Sequence, residues 1–539
     1  MEKRKKAKNS IGRAVFVGLS LFFQLSWIIF RILEINKNYP WVVIVLDIVA
    51  LVLVLFIYIK QINSTIKMLW IMLILVSPIL GVCLYLLFGR SDVTKGMRKR
   101  FERIDDELRD EFQQRPDVLK KIEKQDLGAA NQSRYILNYG KYPVYENTKV
   151  TYYPDALLAL EAQKEAMERA ETYIFMEYFA IEDSRAFEGI HEILKRKAAE
   201  GVEVRILYDD VGSLGYINRD FVRKMENDKI QCRTFNPVIP FLNIFMNNRD
   251  HRKLTVIDGV VAFTGGYNLA DEYFNLKKPY GHWKDTGIKM AGEAVDSMTA
   301  MFLQMWNSVK KTDSDYGKYI APSKKITTKS ENDKDSMKEL IQNSEAVYKD
   351  SQRACFGSGF VQPYADSPLD TELTGENVYL NILKNAKRYV YFMTPYLIIS
   401  DEMSRELTLA AKRGVDVRII TPGIPDKKMV YRVTRSYYNA LARHGVRIFE
   451  YSPGFCHGKM CVCDDELAVV GTINMDYRSL YLHFENGVFL YRCNAIHAIK
   501  DDFDATMDIC EEVTERFCHP GSVFIRIFKS ILRLVAPLL

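Results

Sequence analysis

The chain has 539 residues, with 74 Lys and Arg against 68 Asp and Glu, a net charge of +6, and 48% hydrophobic residues. One hydrophobic core seldom organises more than about 250 to 300 residues, so a chain of this length has room for more than one domain with a full core. Residues 1–13 carry Lys3, Arg4, Lys5, Lys6, Lys8 and Arg13 against Glu2, a net of +5, which leaves the remainder nearly neutral. A protein that tracks a polyanion needs a broad basic surface, so no nucleic acid partner is expected. Nine cysteines in a chain this long make no dense disulfide framework. Cys456, Cys461 and Cys463 crowd one stretch without the paired spacing of a zinc site, and free thiols there point to a reducing face.

Three hydrophobic runs open the chain, at 14–30, 41–59 and 68–88. At about 1.5 Å per helical residue each approaches the ~30 Å core of a bilayer. Residues 1–90 therefore read as a membrane anchor of two to three hydrophobic helices. No small-residue cleavage pattern follows the first run; Arg31, Glu34 and Asn36 do, so it is a retained segment rather than a signal peptide. The basic amino terminus and the cluster Arg90, Lys95, Arg98, Lys99 and Arg100 after the third run both mark the cytoplasmic side. One run must then fail to cross: either the third, interrupted by Pro78 and Gly81, is bent or re-entrant, or the short first run lies at the interface. The expected localisation is the cell membrane, multi-pass, with the active site at the cytoplasmic face. Asp47 lies inside the second run with no evident partner.

Residues 91–146 read as a charged helical linker, periodic from 95 to 126. Beyond it the chain repeats. AETYIFMEYFAIEDS at 170–184 parallels AKRYVYFMTPYLIISD at 386–401, each a buried strand preceded by a helix; EGVEVRILYDD from Glu200 parallels RGVDVRIITP from Arg413. Helix then strand, twice in each half, is the pattern of α/β layering. The halves fall at 147–311 and 350–520, separated by a Lys-, Ser-, Asp- and Asn-rich linker or insertion at 312–349. The apolar stretch FNPVIPFLNIFMNN at 235–248, broken by Pro237 and Pro240, fits either a core loop or a lip that dips towards acyl chains. Residues 521–539 read as an amphipathic C-terminal helix, with Arg526, Lys529 and Arg533 on one face among Ile, Phe and Leu, a pattern favouring a membrane interface over a docking helix.

The repeat is sharpest where it carries chemistry. NRDHRKLTVIDGVVAFTGGYNLAD at 248–271 returns as CHGKMCVCDDELAVVGTINMDYRS at 456–479, keeping His251, Lys253 and Asp258 in register with His457, Lys459 and Asp464. Gly265 and Asn268 stand at the same offsets as Gly471 and Asn474. In an extended run, residues two apart face the same way, so each His shares a face with its Lys. Paired imidazoles, ammoniums and amides suit a phosphodiester: lysines neutralise the nonbridging oxygens, amides donate to them, and one imidazole attacks phosphorus while the other protonates the leaving oxygen. A single HxK in a basic protein is ordinarily surface decoration; two copies with matched Gly and Asn are not. Nucleotide loops are missing, since GSGF at 357–360 lacks the P-loop lysine.

Two HxKxxxxD motifs with a following Gly and Asn resemble the phospholipase D superfamily, whose members bring two such motifs to one active site. GGYNLADEY after the first motif, HWKDT at 282–286, GTINMDYRSL after the second, and a hydrophobic amino terminus ending in LLFGR narrow the likeness to the bacterial cardiolipin synthases, over nearly the whole chain. The resemblance implies an α/β fold of two duplicated phospholipase D-like domains, each a mixed β-sheet flanked by helices, behind an N-terminal transmembrane helical region. It implies a phosphatidyltransferase with no metal or cofactor, acting on phosphatidylglycerol at the lipid bilayer. In that scheme His251 attacks a lipid phosphodiester to give a phosphohistidine, and the hydroxyl of a second phosphatidylglycerol displaces it, so that cardiolipin forms and glycerol leaves. His457 is then acid for the departing glycerol and base for the incoming hydroxyl, although the near-symmetric sequence does not itself separate the two roles.

The same resemblance makes Asn268 and Asn474 phosphate donors. Asp285 and Glu485, at comparable distances downstream in the two halves, become the carboxylates that orient each imidazole through its second nitrogen. Asp258 and Asp464 are expected to hold the motif's own backbone and lysines, and the two imidazoles to titrate as a coupled pair near neutrality. Water must be kept from the phosphohistidine, because hydrolysis yields phosphatidate. Rival readings are a phospholipase D-type lipid hydrolase, a membrane-bound nuclease, and a scaffold without activity, against which the intact His, Lys and Asn of both motifs speak. The chain departs from the family's usual look in having three hydrophobic runs where two are common and Thr472 where serine is common.

Overall fold

The computed structural model describes residues 40–60, 63–89, 95–109, 113–218, 220–237, 247–313, 315–320 and 359–519, with isolated positions elsewhere. The first hydrophobic run, the centre of the apolar 235–248 stretch, most of the 312–349 insertion and most of 521–539 lie outside the described residues.

Each half builds the same mixed sheet. The first contributes Thr148–Tyr153 (β1), Tyr173–Tyr178 (β2), Glu203–Asp209 (β3), Gln231–Phe235 (β4), Arg249–Asp250 (β5), Lys253–Ile257 (β6), Val261–Gly265 (β7), His282–Lys284 (β8) and Gly287–Gly292 (β9). The second contributes Phe360–Asp366 (β10), Tyr389–Met393 (β11), Leu397–Ile398 (β12), Asp416–Pro422 (β13), Arg447–Tyr451 (β14), Gly454–Cys456 (β15), Met460–Cys463 (β16), Leu467–Gly471 (β17), Met475–Asp476 (β18), His483–Tyr491 (β19) and Cys510–Glu512 (β20). The strand orders are β1-β9-β7-β6-β2-β3-β4 and β10-β19-β17-β16-β11-β13-β14-β20, the same plan with one extra edge strand. In both, three strands run parallel through helical crossovers and four run antiparallel. Strands β2 and β11 are buried at every position, which is why YIFMEY, apart from the buried Glu177, and YVYFM read as continuous apolar and aromatic runs rather than alternating ones.

The halves share an interior. Helix Val295–Val309 has 14 of its 15 residues buried, and one core cluster runs from Phe175, Leu254 and Trp306 of the first half to Val361, Val390 and Val488 of the second. Asn486 Nδ2 crosses the boundary to donate to Thr264 Oγ1 at 2.9 Å.

At the amino terminus, helices α1 (Pro40–Ile59), α2 (Ser64–Val76) and α3 (Pro78–Phe88) pack on one another. The third hydrophobic run is two helices, not one. Pro78 cannot continue the hydrogen-bond ladder, and Gly81 lets the two backbones close in, since a Cβ there would lie 2.5 Å from Ile74 Cα. Among the described residues no helix is long and apolar enough to cross a membrane. Helix α1 reaches 20 residues only by including Pro40, Val42, Val43 and Leu46, whose side chains lie outside the described set.

Two segments expected as linkers carry core structure. In helix α4 (Lys95–Arg109), Met97, Phe101, Ile104 and Leu108 are buried in the shared core, and Arg100 Nε donates to Ser308 O at 2.9 Å. Past residue 311, Asp313 receives Arg205 Nη1 at 2.7 Å, Tyr319 OH receives Arg205 Nη2 at 2.8 Å, and Ile320 is buried. Within 521–539, Leu532 and Ala536 are buried and Arg533 Nη2 donates to Ser436 O at 2.6 Å. At these positions the tail docks on helix Lys428–Ala442 instead of facing outward.

Candidate active site

The motif histidines sit in short gaps, His251 between β5 and β6 and His457 between β15 and β16. The strand before each gap pairs with the opposite half: β5 runs parallel to β19, with Arg249 against His483, and β15 runs parallel to β8, with Phe455 against Trp283. The exchange continues into the gaps. His251 N donates to Phe484 O at 2.9 Å and His457 N to Lys284 O at 2.7 Å. The next residue on each receiving strand is an acid. His251 Nδ1 donates to Glu485 Oε1 at 2.8 Å, and His457 Nδ1 to Asp285 Oδ2 at 2.6 Å. Each half thus supplies the carboxylate for the other half's imidazole. With a carboxylate as acceptor, Nδ1 carries the ring proton and Nε2 keeps a lone pair.

Both lysines are buried beside the rings, Lys253 Nζ donating to His251 O at 2.6 Å and Lys459 Nζ to His457 O at 2.5 Å. Burial lowers Lys253 to about 7 and Lys459 to about 8, and the charge of Lys459 also lowers Lys253. Burial, then the charge of Lys459, lowers His457 to about 3. His251 falls well below its ordinary range through burial, Lys253, His483, Lys459 and His457. Burial first, and the charge of the neighbouring lysines second, thus favour neutral imidazoles in the site without substrate.

Asp258 and Asp464 stand apart from this cluster. Both adopt left-handed backbone, φ 53° and 54°. Asp258 accepts from the N–H groups of Glu171, Thr172 and Tyr173 at 2.9, 2.7 and 2.8 Å. Asp464 does the same for Lys387, Arg388 and Tyr389 at 2.7, 2.8 and 2.9 Å. They fasten the entrances of β2 and β11. Lys253 lies against Tyr178 at the far end of β2, about 16 Å along the strand at ~3.3 Å per residue. Of the two duties expected of these aspartates, the hydrogen bonds are to backbone, and the lysines lie at the other end of the strand.

The asparagines make internal contacts. Asn268 Oδ1 accepts from Ala180 N at 3.1 Å, and its Nδ2 donates to Tyr273 OH at 2.8 Å. Asn474 bonds Asp476 and leaves its Oδ1 buried without a partner. Both brace the loops behind the imidazoles. Gly265 and Gly471 allow matching close approaches, since a Cβ at either would lie 2.3 Å from a carbonyl oxygen, of Thr286 or of Asn486. One position later the halves differ. A Cβ on Gly266 would lie 2.0 Å from Asp285 Oδ1, while Thr472, its counterpart, donates to Glu485 Oε2 at 2.5 Å.

Sequence reasoning missed the groups that flank the rings. His483 lies 5.4 Å from His251 between ring centroids, with Phe179 at 4.9 Å. Around His457 are Trp283 at 5.2 Å, Tyr273 at 5.3 Å and Phe455 at 5.7 Å. Alternation from Glu485 and Asp285 would have found His483 and Trp283, each two residues earlier on the same face. The ligating atoms of His251, His483 and Glu485 lie within 4.8 Å of one another. His251 and Glu485 are already joined by the hydrogen bond that sets the ring, so a cation there would compete with that bond.

Duplicated sheets whose two motifs interlock across a common boundary define a phospholipase D-like protein. A family profile described as cardiolipin synthase, PLD-like domain matches residues 164–306 and 379–507, and one described as phospholipase D-nuclease N-terminal matches residues 45–90. A cardiolipin synthase of Alkalihalophilus pseudofirmus is 30% identical over 527 residues, 96% of this chain and 98% of its own. A cardiolipin synthase 2 of Bacillus cereus is 32% identical over 87% of this chain and 86% of its own, and an uncharacterized protein of Streptococcus mutans is 39% identical over 90% and 99%. Among solved structures, the phosphatidylserine synthase of Haemophilus influenzae shares the fold with a TM-score of 0.54, at 15% identity, over 76% of this chain and 99% of its own. The chain belongs to the cardiolipin synthase family.

Proposed function

We propose that this chain is a membrane-bound phosphatidyltransferase that joins two phosphatidylglycerol molecules into cardiolipin and releases glycerol. The observation that carries the reading is the pair of imidazoles whose Nδ1 atoms are tied to carboxylates at 2.8 and 2.6 Å, beside two buried ammoniums. That set offers two Nε2 atoms and a cationic seat for one phosphodiester. The names of the relatives fit the same substrate class.

In the first step His251 Nε2 attacks phosphorus, the P–O bond to glycerol breaks, and His457 passes a proton to the departing oxygen. The phosphodiester's negative charge offsets the lysines, which restores to His457 the proton affinity it lacks alone. In the second step the terminal hydroxyl of another phosphatidylglycerol attacks, the N–P bond breaks, and the hydroxyl proton goes to His457. One phosphodiester replaces another, so the exchange is near energetic balance and calls on no nucleotide.

Helices α1 to α3 supply the membrane attachment. Trp41, Ile48, Val52, Ile59 and Val76 are exposed on them, an apolar surface of the kind that a bilayer covers. Asn63 Nδ2 donates to Tyr481 OH at 3.0 Å and Tyr477 OH to Thr65 Oγ1 at 3.0 Å, which ties the hairpin to the helix Tyr477–Tyr481 between Asn474 and His483. The basic residues flanking this region favour the cytoplasmic face.

The test is a reconstituted assay in phosphatidylglycerol vesicles, with products read by mass spectrometry. Cardiolipin and glycerol are expected from the wild type, and neither from His251→Ala or His457→Ala. Phosphatidate as the main product would replace this reading with a lipid hydrolase.

A further inference from the structure

The two half-sites share a plan and are decorated oppositely. Beside His251 stands His483, which Arg478 meets by hydrogen bond and Arg249 by strand pairing; the positions that match His483, Arg478 and Arg249 in the other repeat are Trp283, Glu272 and Phe455. Basic side chains join Phe179 on the side of the first ring, whereas Trp283, Tyr273 and Phe455 flank the second.

The basic side is built rather than incidental. Arg249 is buried, with its Nη1 3.4 Å from Asp209 Oδ1, and it faces His483 across the β5–β19 pairing. Arg478 Nε donates to His483 Nε2 at 3.4 Å. His483 Nδ1 is buried with no hydrogen-bond partner, 3.7 Å from Glu485 Oε1. Arg478 is half-buried, and burial and the like charge of Arg249 both lower its proton affinity. Lys427, exposed at the rim, adds its charge at His483. Acids face these groups too: Asp209 pairs with Arg249 while accepting from Val211 N at 2.8 Å and Asp250 N at 3.0 Å, Asp476 caps its helix through Ser479 N at 2.9 Å and favours the charge on Arg478, and Glu485 lies beside His483. The half-buried guanidinium of Arg478 and the exposed ammonium of Lys427 are thus the charges on this side of the catalytic ring, separate from the lysines that grip the reacting phosphate, while His483 is a neutral imidazole because burial and then Arg478 hold it well below its ordinary range.

In the proposed transfer the two alcohols differ in just this respect. The leaving glycerol is neutral, whereas the acceptor lipid carries its own phosphodiester, three carbons from the hydroxyl that attacks. Two phosphates so close repel unless the second has a counter-charge. Resting on that reading of the reaction, we propose that Arg478 and His483, backed by Arg249, form a second anion site that holds the acceptor lipid's phosphate. The glycerol arm then carries the hydroxyl across the phosphorus towards His457. Alcohols without a phosphate gain nothing from this site, so it selects a lipid acceptor over glycerol or water.

The experiment measures, in the same phosphatidylglycerol vesicles, cardiolipin formation and the incorporation of labelled free glycerol into phosphatidylglycerol. The second reaction uses the same phosphohistidine with an acceptor that has no phosphate. For Arg478→Gln the ratio of cardiolipin formed to glycerol exchanged should fall about tenfold or more, the scale of one lost charge-assisted hydrogen bond, and Arg478→Lys should restore part of it. A ratio within about twofold of wild type, whether both reactions fall together or neither does, overturns the site. Should Arg478→Gln lose both activities, the same ratio is read on His483→Gln with the same two outcomes. A wild-type enzyme that exchanges glycerol but makes no cardiolipin overturns the cardiolipin-forming reading itself, and the acceptor site with it.

Discussion

Glu485, in the second half of the chain, accepts the Nδ1 proton of His251, in the first, at 2.8 Å. Asp285 returns the arrangement to His457 at 2.6 Å. Neither half holds a complete dyad, so the duplication is functional only as a joined pair. Replacing either acid by its amide should leave the fold intact and the ring's tautomer unfixed. Turnover of Glu485→Gln or Asp285→Asn is expected to fall by about 10²- to 10⁴-fold, as with other imidazoles that lose an orienting carboxylate. Rates within a factor of about three of wild type, with an unchanged melting temperature, would remove these carboxylates from the mechanism.

The lysines set the pH response. Lys253 is lowered to about 7 and Lys459 to about 8 by burial. A lysine is charged below its pKa and neutral above it, so the grip on phosphate is present at lower pH and is lost as pH rises through these values. Substrate binding should correspondingly take up protons near neutrality, because the bound anion favours the ammonium form. We expect kcat/KM to decline as pH rises above about 7, with no acid limb near neutrality, because burial holds the nucleophile His251 well below its ordinary range and so keeps it unprotonated. A profile from about pH 5 to about pH 9 at constant ionic strength checks this; activity still climbing at the alkaline end would contradict it.

Asp258 and Asp464 should behave as structural residues. Each carboxylate takes three backbone N–H groups at a strand entrance, and removing it strands those donors. Asp258→Ala or Asp464→Ala should cost about 3 to 5 kcal/mol of stability, measured by urea unfolding, while the fraction still folded keeps most of its turnover. Full stability with lost turnover would return these aspartates to the chemistry.

Gly266 and Thr472 occupy one position in the two repeats and do different work. Gly266→Ala would place a methyl 2.0 Å from Asp285 Oδ1 and 2.8 Å from His457 O, displacing the dyad, and turnover should fall about a hundredfold. Thr472→Ser keeps the hydroxyl that reaches Glu485 and should stay near wild type, whereas Thr472→Val should lose about tenfold. Steady-state kinetics on the three variants decides it: a tolerant Gly266→Ala would mean that the loop relaxes freely.

Local features of the chain were open to reading from the sequence alone. The duplication, the helix-strand alternation, and His251 and Lys253 in register with His457 and Lys459 depend on offsets of a few residues, and such offsets are properties of short segments. The presence of Asp285 and Glu485 was legible for the same reason. Which acid serves which ring was not, because the two pairings span 172 and 234 residues and follow from strands exchanged between the halves. Burial is likewise a property of the assembled interior, so the depressed imidazoles and lysines had no trace in the order of residues. The duty of Asp258 came from a neighbouring strand, and the basic ring of Arg249, Arg478 and His483 gathered from two separate motifs. Composition and spacing specified the parts, and only the tertiary structure decided their partners, since charge and hydrogen bonding act through space and not along the chain.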